Sequence, residues 1–252
     1  MIPFITLLTV AVLVFSLAAA VLAGLKRMEP ARCFEATAWF TALGLFAANC
    51  KLAESLPFGN MRQVMCFFPL VLGPMSLYMR RWRGTELTAC FSGVGVVAMV
   101  GALCMPMQAT WRQMPALQSA WFAPHVTSYV IAYGLLAVSA VLVVMSFHAK
   151  AEERLQAADE VVRLAFPFLT FGLWSGALWA DVAWARYWAW DIKEVWALIT
   201  WIVYLIYFHA CKQDSAFWLR RTLLLLGVLA VLITFFVVNL LPNIVSVHSY
   251  AR

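Results

Sequence analysis

Eight apolar runs follow one another along the chain, at about residues 3–25, 34–50, 61–79, 86–106, 125–147, 164–182, 195–211 and 222–241, with short polar connections between them. An α-helix needs roughly 20 mainly apolar residues to cross the hydrocarbon layer of a bilayer. The run over 34–50 is short, and the sixth contains Pro167, which a membrane helix tolerates where neighbours satisfy the carbonyl it releases. Of the 252 residues, 64% are hydrophobic and only 12% charged, too few polar groups to face water around a soluble core. No polar stretch is long enough for a separate soluble domain. The chain is expected to be all-α: a polytopic membrane protein of about eight transmembrane helices, forming one integral membrane domain over 1–252.

The formal charge of +6 fits membrane topology better than nucleic acid, because the basic residues sit in short clusters between apolar runs. One set of loops holds Lys26, Arg27, Arg32, Arg80, Arg81, Arg83, Lys150, Arg154, Arg163, Lys212, Arg220 and Arg221. The other holds Lys51, Arg62, Arg112, Arg186, Lys193 and Arg252. Cytoplasmic loops collect Lys and Arg, so the first set is assigned to the cytoplasm and both termini face outward. The start, Met1-Ile-Pro-Phe, lacks the basic segment of a signal peptide and reads as the beginning of the first span. Segment 148–163 is charged and alanine-rich, a solvated helical extension. The six cysteines, Cys33, Cys50, Cys66, Cys90, Cys104 and Cys211, form no CxxC pair. They read as small apolar side chains in helices rather than as a disulfide framework or zinc site.

The outward segment between the sixth and seventh runs is unusual. Trp174, Trp179, Trp184, Trp188, Trp190 and Trp196 make up half of the twelve Trp in the chain, and Asp181, Arg186, Tyr187, Asp191, Lys193 and Glu194 lie among them. Two readings fit. Trp collects at membrane surfaces as an interfacial belt. Indole faces also stack on a large planar ligand, whose carboxylates Arg186 and Lys193 could meet while Asp191 and Glu194 hold those cations or fix the loop. The four histidines sharpen the second reading. His125 starts the fifth run and His248 follows the last, both at the outer face with the Trp segment, and two imidazoles beside an aromatic platform suit axial ligation of haem iron. His209, near the inner end of the seventh run, lies about 22 Å of helix rise from Glu194 and is a candidate by its place within a span. His148, at a cytoplasmic helix end beside Lys150 and two glutamates, reads as structural.

The run from Trp184 through Trp188, Trp190 and Asp191 to His209 resembles the WWD signature of CcsA-type (ResC-like) cytochrome c assembly proteins, part of a wider haem-handling family that includes CcmC and CcmF. The ending Asn239-Leu-Leu-Pro-Asn-Ile-Val-Ser-Val-His248-Ser-Tyr and the stretch His125-Val-Thr-Ser-Tyr-Val-Ile-Ala-Tyr133 resemble the family's two outward histidine segments. The match covers roughly 120–252; the first half matches mainly in hydropathy. The family usually has Gly where Ala185 stands and Pro where Ile192 stands, changes that bear on backbone freedom. The resemblance implies that His125 and His248 are outer ligands of haem b and that His209 serves haem within the membrane. It implies that Trp184, Arg186, Tyr187, Trp188, Trp190, Asp191 and Trp196 of segment 183–196 form the outer haem-binding surface. It further implies a bacterial inner-membrane subunit of a holocytochrome c synthase. Such a subunit moves or captures haem, works with a CcsB (ResB)-like membrane partner, and presents haem to the CxxCH motif of an apocytochrome c. Two other readings use the same residues: a CcmC-type haem exporter or chaperone without synthase activity, and an electron-transfer subunit with stable haem b. The continuation Lys193-Glu-Val-Trp-Ala-Leu-Ile-Thr-Trp201 is CcsA-like. Electron-transfer bundles place paired histidines within facing spans.

Overall fold

The computed structural model describes residues 1–107, 115–148, 151–211 and 217–237. Among the described residues there are eight α-helices and no strand: α1 Ile2–Gly24, α2 Met28–Ala53, α3 Met61–Tyr78, α4 Thr88–Cys104, α5 Phe122–Met145, α6 Ala151–Trp184, α7 Ile192–Ala210 and α8 Phe217–Leu232. Short π-helical turns follow α3 and α8, and a 3-10 turn spans Pro115–Gln118. Each apolar run lies largely on one helix. By length and composition five helices can cross a membrane, namely α1, α5, α6, α7 and α8 with its π turn. The other three differ: α2 carries Glu29, Arg32, Glu35 and Lys51, α3 carries Arg62 with Pro69 and Pro74, and α4 has 17 residues. Segment 151–163 continues α6 as one 34-residue helix, about 51 Å long and longer than the roughly 30 Å of hydrocarbon.

The chain divides into two compact units, Met1–Leu117 and Gln118–Arg252. In the first, α1 and α3 each pack against both α2 and α4. The buried stripe of α1 is Ile5, Thr9, Val12, Ser16 and Ala19, while Phe4, Leu7, Val14, Leu17 and Val21 are exposed. A water-soluble helix has the reverse polarity, so the outward side chains are dissolved in lipid. Small residues (Ala31, Ala38, Ala42) on the buried face of α2 let the backbones approach. Polar groups sit inside and are paired. Glu35 accepts from Ser76 Oγ at 2.6 Å and Arg80 at 3.1 Å. Arg62, placed in an outward loop by the charge count, is buried and donates to the Ala102 and Met105 carbonyls at the end of α4, at 2.6 and 2.8 Å. Pro74 has no N–H for the carbonyl of Leu70, four residues earlier. The Trp39 indole N–H takes that carbonyl at 2.9 Å. Gly73 permits the approach, since a Cβ there would lie 2.5 Å from Trp39 Cδ1.

In the second unit α5 and α6 form the principal seam, α7 and α8 pair, and α8 also meets α5. His125 at the start of α5 meets Gly172, and Ser139 further along meets the Ala158 carbonyl, so α5 and α6 run antiparallel. The carbonyls that end α5 are met by cations: Arg154 donates to Met145 O, and Arg221 donates to Ser146 O at 2.6 Å. The Arg221 guanidinium lies 3.8 Å from the Phe147 ring centre and 4.2 Å from that of Phe217. At the same end, the Tyr207 hydroxyl donates to Asp159 at 3.0 Å. The starts of α5 and α7 and the end of α6 thus share one end of this unit.

The Trp39 bond to the carbonyl released by Pro74 yields a coupling test. Trp39→Phe should lower stability in detergent by about 1–2 kcal/mol, because it orphans a half-buried carbonyl. In a Pro74→Ala background the restored N–H takes that carbonyl, and the same substitution should cost clearly less. Equal losses of thermal stability in both backgrounds would show that the indole bond does not replace the missing helical one.

Candidate functional site

The Trp-rich segment is the connection between α6 and α7, and its backbone is held at both ends. α6 stops where Ala185 turns left-handed at φ +56, its N–H still bonded to the Asp181 carbonyl at 2.8 Å. This is the helix-ending position where glycine is commonest. Trp190 is also left-handed, at φ +57. Each such non-glycine residue costs about 1–2 kcal/mol. The far end is tied by a capping box on α7. Asp191 accepts from the Lys193 N–H at 3.0 Å, and Glu194 accepts from the Ala189 N–H at 2.8 Å and the Asp191 N–H at 3.2 Å. Glu194 is buried. These bonds fix the loop, and Asp191 also interacts electrostatically with Lys193, so both roles expected for the carboxylates are in play. The Asp-x-x-Glu spacing, which sequence reasoning assigned to cations as well, is itself a helix-start signal.

Between those ties the rings are displayed. Trp190 is 72% exposed and Tyr187 58%, Arg186 is exposed, and Trp184, Trp188 and Trp196 are half-buried. Trp188 stands edge-on to Trp190 with ring centres 6.0 Å apart. Its indole N–H is buried with no hydrogen-bond partner among the described residues. Rings exposed on a fixed backbone fit both readings of the sequence, an interfacial belt and a surface for a flat ligand.

His125 reaches this loop through a residue that sequence reasoning counted but did not single out. Its ring stacks on Trp179 at 5.5 Å and 23°. Trp179, almost fully buried, in turn meets Trp184 edge-on at 4.8 Å. Nδ1 lies 2.8 Å from the Gly172 carbonyl. A carbonyl only accepts, so Nδ1 carries the proton; in the neutral imidazole the lone pair is then on Nε2, the tautomer of a metal-ligating imidazole. No pattern in the sequence pairs 125 with 172 and 179; the α5–α6 seam does.

His209 is not brought to this site. It sits in the last turn of α7, exposed, with Nδ1 bonded to the Leu205 carbonyl at 2.8 Å. His148 is exposed past the end of α5. His248 lies outside the described residues. Among the described residues, no three His, Cys, Asp or Glu side chains gather in a way that could hold a metal ion.

The family model for "Cytochrome C assembly protein" matches residues 1–246. The cytochrome c biogenesis protein CcsA of Chlamydomonas reinhardtii is 41% identical over 116 residues, covering 41% of this chain and 33% of that protein. CcsA of Trachelium caeruleum is 32% identical over 185 residues, covering 54% and 58%. The aligned stretches thus span a third to just over half the length of these relatives. A solved chain of the cytochrome c heme lyase CcmF superposes with a TM-score of 0.70 over 93% of this chain and 46% of its own, at 19% identity; that likeness concerns the fold.

Two substitutions on the loop should move stability in opposite directions. Ala185→Gly removes a left-handed alanine and should raise stability by about 1 kcal/mol. Glu194→Ala strips two loop N–H groups of their acceptor and should lower it by about 1–2 kcal/mol. Thermal unfolding in detergent reads both; shifts of the same sign would contradict this account of the backbone.

Proposed function

The chain belongs to the Cytochrome C assembly protein family, and from that premise we propose that it captures haem at the His125 end of its second unit and presents it for covalent attachment to an apocytochrome c. The observation that carries the reading is the state of His125, with Nδ1–H bonded to the Gly172 carbonyl and the ring joined through Trp179 to Trp184. The residues suit the cargo. An imidazole in the ligating tautomer, exposed flat rings on Tyr187 and Trp190, and the exposed cation of Arg186 match iron, ring face and propionate in turn.

In this reading the protein contributes no nucleophile. Each cysteine thiol of a CxxCH motif adds across a haem vinyl. Sulfur bonds to one vinyl carbon, the thiol proton goes to the other, and the double bond becomes single. The protein's work is to hold the iron through His125, keep the ring face against the loop and leave the vinyl edge open. His248 is the second outer ligand carried over from the resemblance. His209, exposed at the opposite end of α7, serves haem b inside the membrane beside a CcsB (ResB)-like partner. The 12-to-6 distribution of Lys and Arg supports an outward loop in a bacterial inner membrane, and the whole would be one subunit of a holocytochrome c synthase.

His125→Gly and His248→Gly variants should lose most haem-stained cytochrome c in a co-expression assay, and added imidazole should restore part of it. Full maturation by both variants without imidazole would sink the proposal.

A further inference from the structure

Gly172 and Gly176 lie one turn apart on α6, spaced Gly-x-x-x-Gly. In membrane helices that spacing ordinarily lets two backbones approach each other. Here rings occupy the room. A Cβ on Gly176 would fall 2.6 Å from both Cε1 and Nδ1 of His125, and one on Gly172 would fall 3.0 Å from Cδ2 of Tyr129. The imidazole is bounded below by Gly176, on one face by the Trp179 ring, and by Tyr129 at 5.0 Å and 81°. The acceptor for its Nδ1–H is the carbonyl of the other glycine. One short stretch of α6 therefore sets the depth, tilt and tautomer of the ring.

We propose that Gly172 and Gly176 are positioning residues for the haem ligand: a seat on α6 that holds the His125 imidazole in place with its Nδ1–H engaged. The inference rests on the reading of His125 as an iron ligand. A hydrogen bond from the distal N–H makes an imidazole a stronger donor and fixes its plane. A stronger donor favours ferric over ferrous iron, so loosening the seat should raise the midpoint potential of bound haem. Plain helix packing predicts something else. Filling Gly176 would then cost stability while leaving the iron spectrum and potential alone.

The experiment uses the full chain loaded with haem and reads its absorption spectrum and midpoint potential. Gly176→Ala should shift both, with the potential moving upward. Gly227→Ala serves as control, because a Cβ there would lie 2.5 Å from the buried Tyr204 ring and is not among the contacts of His125; it should lower stability and leave spectrum and potential unchanged. Should Gly176→Ala fail to fold, His125→Gly/Gly176→Ala removes the clash. In His125→Gly, added imidazole should restore the haem spectrum by occupying the vacated seat; in the double variant the half-saturating imidazole concentration should be about tenfold higher, some 1.4 kcal/mol. Equal imidazole requirements, or an unchanged spectrum and potential in Gly176→Ala, would overturn the seat. Unaltered haem binding by His125→Gly would instead overturn the ligand reading beneath it.

Discussion

In hydrocarbon a backbone N–H or C=O without a partner costs several kcal/mol, and the irregular points of this protein are places where side chains meet that cost. Pro74 releases the Leu70 carbonyl and Trp39 takes it. α5 ends on carbonyls engaged by Arg154 and Arg221. α4 ends on carbonyls engaged by Arg62. The loop before α7 turns its N–H groups toward Glu194. Cations meet the negative ends of helices and carboxylates the positive ends, the arrangement the helix dipole favours. The buried charges of this chain are thus largely spent on backbone.

The same constraint explains why the candidate site lies at a helix end. Along the spans the interior combines large buried side chains such as Leu135, Tyr204 and Tyr207 with small and hydroxylated ones, and the regular backbone there keeps its N–H and C=O groups within the helix. Where α6 stops and α7 has not begun the backbone leaves the helix, and there the capping box holds it. His125 belongs to the site because antiparallel packing puts the start of α5 beside the end of α6.

Hydropathy period made the helices legible, since a run of about 20 apolar residues has few alternatives in lipid. Their ends were less so: α2 extends over Met28–Ala53 rather than 34–50, and α7 starts at Ile192 rather than 195, because charged residues continue a helix beyond its apolar part. The Trp cluster and the four histidines could be found by composition and position alone. Their pairing could not. Trp179 differs from its neighbouring tryptophans only through what α5 sets against it, and Arg62 reads as a loop charge until α4 ends on it. The capping box at Asp191 and Glu194 was readable in principle. The nearby cations Arg186 and Lys193 offered those carboxylates a competing role.

The two left-handed residues bear on what the loop can do. Ala185 and Trp190 bracket residues 186–189, and together they cost about 2–4 kcal/mol. Hydrogen bonds to a buried carboxylate are worth roughly 1.5–3 kcal/mol each, so the two that Glu194 accepts offset the strain. The shape of the loop is therefore set by its backbone ends and not by burial of its rings, which is why Trp190 can remain 72% exposed on a defined backbone. A closed aromatic pocket would grip a planar ligand on both faces and hide its edges. A preformed open edge, with one imidazole held behind it, leaves part of the ligand accessible to a second macromolecule. For the haem proposed as its ligand, such an edge suits presentation better than storage.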